Sequence, residues 1–392
     1  MALTDAQGDE NATPEIKLRI DARPLVRGVD DLSRWRALDR NLSSARRHRC
    51  NAWCQFRSCN SGLFLGTGFS MSLVSTTPPT TISVLRRLGQ LPGAFYLLVA
   101  LFIILSIKSP YFLTTANLTN IVLQSSVVLI LAFGMTLVIL TEGIDLSLGP
   151  VLCLSAVVMS LLLVAGYSFA VAIPAAVATA MTVGAFNGIL VSYFDLPPFV
   201  VTLSSYGMSL SLALALTKGN SVVGLPSGIR WFNEGTIAGI PTPLLATAAL
   251  FALTYVVLYH TPFGRYVFAI GGNRQALVRS GVRVRLYQTL VYVYAAALTG
   301  LASFIMTARA NAAHPTIGVG LEFDAIAAAV LGGTSFTGGR GTLTGTVVGG
   351  LAVATLRNGL NLLGVQTEWQ TAAVGFVIIV GVGIDSLRGY NR

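Results

Sequence analysis

The sequence predicts an all-α fold: a polytopic transmembrane helical bundle of about ten spans, with broken or re-entrant segments near 141–150 and 323–341. Three observations carry this expectation. Charged residues make up only 11% of the 392-residue chain and hydrophobic residues 53%, whereas soluble domains are about 25% charged. Mean hydropathy is +0.70. The apolar residues also fall into long runs, and about 20 residues is the length a helix needs to cross some 30 Å of hydrocarbon. So few charges cannot cover the surface of a soluble protein of this length.

The chain opens with residues 1–70, which look unrelated to the rest. The stretch from Arg34 to Arg57 is rich in arginine and lacks apolar periodicity. Two readings stay open: upstream sequence ahead of a true start at Met71, or a disordered cytoplasmic arm. The segment has no apolar core followed by a small-residue cleavage site, so it does not read as a secretory signal. Cys50, Cys54 and Cys59 beside His48 lack the paired C-x2-C spacing of a zinc module, and no metal site or other cofactor is expected.

Residues 71–91 form a lead that ends near Arg86-Arg87, and 92–386 form the membrane domain. Its apolar runs are 92–108, 121–140, 150–166, 168–193, 199–217, 243–259, 286–308, 323–336, 343–363 and 370–386. The run 323–336 is too short for a full crossing and reads as a half-helix or re-entrant segment. Arg86 and Arg87 place the start inside the cell by the excess of basic residues in cytoplasmic loops. Six crossings later comes 260–285, with Arg265, Arg274, Arg279, Arg283 and Arg285 and no acid. An even count returns that loop to the cytoplasm, and four more crossings bring the 387–392 tail inside. The net charge of +10 is thus accounted for by loop arginines between apolar runs, not by a nucleic-acid surface.

Four interruptions separate this chain from a plain membrane anchor. The first runs from Thr141 to Pro150 and carries Glu142, Gly143, Asp145, Ser147 and Gly149. Two carboxylates beside a Gly/Pro break either line a cavity or gate it, or form an ordinary loop with Asp145 as a helix cap; both readings stand. The second, Asp195-Leu196-Pro197-Pro198, stops one helix and starts the next with Phe199 and Thr202. The third holds Gly332, Gly333, Thr334 and Ser335 within 331–342. It is glycine-rich like a phosphate loop, but the Lys of G-K-[ST] is missing here and throughout the chain. Tight turns and helix packing account for most of these glycines, with a polar route as the functional alternative. The fourth is the arginine loop, where Gly264, Arg265, Gly271, Gly272, Asn273, Ala276 and Gly281 have the spacing of a short docking helix ended by a glycine.

At these residues the chain resembles a family. From about Arg86 to Arg388 it is similar to the permease subunits of ribose/xylose-type ABC importers. The matching stretches are Gly134 to Ile139 with Gly143 to Ser147, Asn187-Gly188, Pro198 to Leu203, Gly264-Arg265 with Gly271 to Asn273, and the glycines of 332–341. The departures are Glu142, where the family has a small or polar residue, Pro150, where Ser is common, and residues 1–70, which have no counterpart. The resemblance implies a multi-pass protein of the bacterial inner membrane with both termini cytoplasmic. It further implies a second copy of the permease, an ABC ATPase, an extracytoplasmic sugar-binding protein, and a coupling helix within 264–282. No catalytic residue is expected, and His48, His260 and His314 receive no role. Rival readings are a permease for branched-chain amino acids or nucleosides, an ion-coupled carrier using Glu142, Asp145 or Asp324, and a membrane enzyme or receptor scaffold.

Overall fold

A computed structural model describes residues 93–390, with side chains through Ile379. The expectations for 1–70 and 71–91, for the Cys50, Cys54, Cys59 and His48 group and for Arg392 lie outside the described residues.

The chain runs α1 (Gly93–Lys108), α2 (Thr115–Leu140), α3 (Leu148–Val164), α4 (Phe169–Tyr193) and α5 (Pro198–Thr217), then a short α6 (Gly228–Glu234). A small hairpin, β1 (Thr236–Ile237) and β2 (Ile240–Pro241), leads to α7 (Thr242–His260) and α8 (Pro262–Arg279). It closes with α9 (Val284–Ala310), α10 (Leu321–Leu331), α11 (Leu343–Leu362) and α12 (Thr367–Tyr390). Each apolar run of the sequence carries a helix. Among the described residues α2, α4, α5, α7 and α9 are long and apolar enough to cross a membrane, and α1 and α3 are shorter apolar helices.

Three boundaries differ from expectation. The first break is narrower, because α3 starts at Leu148 and takes Gly149 and Pro150 into its first turn, where a proline sacrifices no helical hydrogen bond. Helix α10 stops at Leu331 and spans 11 residues, about 16 Å at 1.5 Å per residue. Helix α12 continues to Tyr390, through the start of the expected tail.

Helix α2 is apolar all round, so only a surrounded position suits it. Every residue from Ser125 to Leu140 is buried, and α7, α8, α9, α10 and α11 pack around it. The most extensive packing joins α4 to α9. A Cβ on Gly188 would lie 2.8 Å from the Thr289 Cα, so the two backbones approach as closely as small residues permit. The Ser192 and Thr289 hydroxyls, 2.6 Å apart, lock that contact.

The bundle has two ends. At one, the C-terminus of α2, α8 and the loop after α10 come together through Leu140, Gly271 and Gly339. At the other, Val222 pairs with Ala313, and Phe232 of α6 packs on Phe304 of α9 at 4.7 Å. The hairpin turns through Ala238 and Gly239, both at positive φ, the geometry of a two-residue mirror-image turn.

Candidate coupling and translocation site

The first break begins where Thr141 ends α2 and Glu142 turns the chain through a φ of 61°. Asp145 then folds the segment onto itself, its Oδ1 accepting from the Ser147 N–H at 2.9 Å and the Ser147 hydroxyl at 2.6 Å. Both residues are buried, and three other helices hold them. Asn187 of α4 donates to the Ser147 hydroxyl at 3.0 Å. Thr202 of α5 donates to the Ile144 carbonyl at 3.1 Å. A Cβ on Gly143 would lie 2.5 Å from the Tyr292 hydroxyl of α9. The irregular backbone is therefore enclosed in protein, the condition that lets it persist at membrane depth. The Tyr292 hydroxyl and Asn187 Oδ1 are buried there without a hydrogen-bond partner.

Helix α8 spans most of the residues expected to form a docking element, with a kink that the sequence reading lacked. Asn273 leaves helical geometry (φ −159°, ψ 85°), and its Oδ1 accepts from the Ala276 N–H at 2.9 Å, so it caps the second part of α8 as it ends the first. Gly281, at φ 78°, completes the stop. The predicted residues divide by duty. Gly264 faces the Leu258 backbone, and Gly271 faces the Leu140 carbonyl and the Gly339 Cα, whereas a Cβ on Gly272 would meet nothing. Arg265 and Ala276 are exposed beside it.

The glycine loop completes the site. The Ser335 N–H donates to the Arg340 carbonyl at 2.8 Å, Gly333 turns at φ 89°, and Gly332 packs on the backbone of Gly345 and Thr346. Thr334 is buried, its hydroxyl unpartnered. The Gly338 N–H donates to Glu142 Oε1 at 3.2 Å, and Gly339 lies against Phe268 and Gly272 of α8. Three stretches that the sequence flagged separately thus form one junction: the break, the glycine loop and α8.

The fourth contributor comes from the second interruption, whose Asp195 the sequence reading gave no site role. Asp195, at φ 52° after α4, lies 3.3 Å from Arg274 of α8 and 3.7 Å from Arg285 of α9. The signal available was a lone acid beside the double proline, complementary to a loop of arginines without acids. Two cavities open here. One, of about 250 Å³, lies among Thr141, Glu142, Asp195, Pro197, Arg274 and Gln288. The larger, about 930 Å³, is a groove lined by Tyr193, Asp195, Arg274, Arg279, Arg283 and Arg285. Four arginines against one carboxylate make the groove positive. Phe199, half-exposed, stands at the start of α5 next to the junction, while Thr202 is buried in it.

Residues 117–382 match the family described as the branched-chain amino acid transport system / permease component. The chain belongs to that permease family. The permease is 41% identical to the ribose import permease protein of Bacillus subtilis (strain 168), over 77% of this chain and 93% of the relative. It is 38% identical to the D-allose transport system permease protein of Escherichia coli (strain K12), over 75% and 91%. The ribose import permease protein of the same Escherichia coli strain is 40% identical, over 74% and 92%. A solved chain described as an inward-facing ABC transporter overlays with a TM-score of 0.42 at 13% identity, covering 76% of this chain and 99% of that one; so distant a likeness carries no argument.

Proposed function

We propose that this permease is the membrane-spanning subunit of an ATP-binding-cassette importer for a monosaccharide, working by alternating access between two copies of the chain. The reading rests on relatives named for ribose and galactose import and allose transport, which align over more than nine-tenths of their length. Its ATPase is a separate subunit that docks on Gly272, Asn273, Ala276 and the arginine groove, on the cytoplasmic side of the inner membrane. A sugar-binding protein delivers solute to the opposite end, and both termini of the permease are cytoplasmic. The junction is the single structural observation that supports the mechanism. A push on α8 meets the glycine loop through Gly271 and Gly339, the break through Glu142 and Gly338, and the α4–α5 turn through Asp195 and Arg274. Motion of the motor then reaches Asp145, Ser147, Phe199 and Thr202 at the inner gate without an intervening flexible segment.

The family's description favours a second solute class, branched-chain amino acids. Uptake into vesicles carrying the permease with its ATPase and binding protein decides between them. The expected result is ATP-dependent accumulation of D-ribose, D-allose or D-galactose that survives an ionophore. Accumulation of leucine instead would move the solute to the amino-acid class, and uptake that persists without ATP but collapses with the ionophore would replace the importer by an ion-coupled carrier.

A further inference from the structure

Helix α10 is about half the length a full crossing requires. Its N-terminal approach lies inside the bundle, where Gly318 meets Gly149 and Cys153 of α3. Residues 311–320 lead down to it from the Val222–Ala313 end and leave a cavity of about 200 Å³ beside the half-helix. Gln124 of α2, Arg309 of α9, Asp324 of α10 and Arg357 of α11 supply its polar lining, and Val128 and Val353 part of its apolar wall.

These side chains are not an ordinary helix-packing set. Asp324 is fully buried. The Arg357 Nη2 donates to its Oδ1 at 2.7 Å, and Nε lies 2.7 Å from Oδ2. Ionisable residues within membrane helices are costly and cluster where solutes or ions pass, and solute sites gather where helices are discontinuous. The Arg357–Asp324 fork is neutral as a pair and Arg309 adds one positive charge, so the lining disfavours a cation and leaves room for a neutral hydrogen-bonding ligand. Among the described residues the side chains of Gln124 and Arg309 hold no hydrogen bond or ion pair, which leaves an amide and a guanidinium free to face a ligand. A hydroxyl group both donates and accepts; adjacent hydroxyls on one ring therefore match a carboxylate, an amide and guanidinium donors together. The volume corresponds to about six or seven waters at roughly 30 Å³ each, room for one small ring.

We propose that this cavity is a low-affinity subsite for a neutral polyol in the outer half of the translocation route, with Gln124, Arg309, Asp324 and Arg357 as its hydrogen-bonding groups. The proposal rests on the importer reading for its place in a route, but its test does not. In a chain with the native cysteines replaced, Gln124→Cys in proteoliposomes is labelled by a small hydrophilic thiol reagent. D-ribose, D-allose or D-galactose at about twice its dissociation constant slows that labelling about threefold, while Gly239→Cys on the hairpin is labelled at an unchanged rate. Gln124→Leu and Arg309→Gln remove no intramolecular bond, so both variants reach the membrane in normal amounts, and ATP-driven uptake falls about tenfold. The proposal is overturned if none of the three sugars protects Gln124→Cys. It is equally overturned if protection follows the phosphatidylglycerol content of the vesicle instead, since a lipid phosphate then occupies the cavity. Failure of uptake by the unsubstituted permease counts against the importer reading alone, because protection is read without the ATPase.

Discussion

At Gly271 an added methyl group would run into the Leu140 carbonyl and the Gly339 backbone, whereas at the adjacent Gly272 it would enter open space. Substitutions at the two positions therefore separate packing from docking. Gly271→Val overpacks the junction at a cost of about 1–3 kcal/mol, and less of the protein accumulates in the membrane. Gly272→Glu is expected to leave the membrane level unchanged yet abolish uptake, because on the proposed docking the added charge stands in the ATPase interface. Quantifying the chain in isolated membranes alongside uptake checks both, and normal uptake by Gly272→Glu removes this face from the mechanism. Asp195 poses a different question. Its pairs with Arg274 and Arg285 are 43–58% exposed, so they are worth about 1 kcal/mol or less to stability. If they matter, they matter for transmission. Asp195→Arg sets three like charges together at exposed positions, a repulsion of about 1 kcal/mol or less, and uptake falls steeply while the thermal midpoint stays nearly constant. Adding Arg274→Asp restores a large part of the uptake. A swap that restores nothing would show that the pair is incidental.

The break at 141–147 is short, but its hydrogen bonds converge from α4 and α5 and it packs against α9. Replacing Asp145 by Ala removes the acceptor for the Ser147 N–H and hydroxyl and leaves the buried donors unsatisfied, at about 1–3 kcal/mol. If the break gates the route as proposed, uptake by Asp145→Ala is expected to drop to about a tenth, since 1.4 kcal/mol is about a factor of ten in an equilibrium constant. Asp145→Asn, which keeps the acceptor oxygen, retains most of the activity. Equal loss in both variants would assign the role to charge and not to the turn. The sequence located this break because carboxylates, Gly and Pro interrupt an apolar run, and it located α10 because the run was too short for a crossing. It did not disclose that Asn187 meets Ser147 and Tyr292 lies against Gly143, nor that Arg357 meets Asp324. Such partners lie far apart in the chain and share no local pattern. The α8 kink escaped for the opposite reason: Asn273 fits both a helix stop and a helix start, and only the backbone shows it doing both. Helix α6 and the hairpin lie in a polar stretch without periodicity, where lipid imposes no length rule.

At the scale of the whole molecule, the length of the apolar runs made the helices legible, because the hydrocarbon layer leaves a chain few alternatives to closed helical hydrogen bonding. The arginine distribution supports an expected orientation as well. The fold adds an argument that charge alone does not contain. Leu140 at the end of α2, Asp195 after α4, Gly271 in α8 and Gly339 after α10 share one end of the bundle. Val222 after α5 and Ala313 after α9 share the other. These two sets follow from strict alternation of crossings, and losing one crossing would place members of a set on opposite faces. The alternation therefore ties the side of α8 to the side of the hairpin: whichever face holds Gly272, Gly239 must be on the other. In a chain with the native cysteines replaced, Gly272→Cys is expected to react with an impermeant thiol reagent only in inside-out vesicles, and Gly239→Cys only in intact cells. Both groups labelled from one side would break the alternation itself, whereas a clean reversal of the two sides would keep the bundle and invert the positive-inside assignment. An ATPase docks only on a cytoplasmic surface, so that reversal would also remove the arginine groove as the seat of the motor.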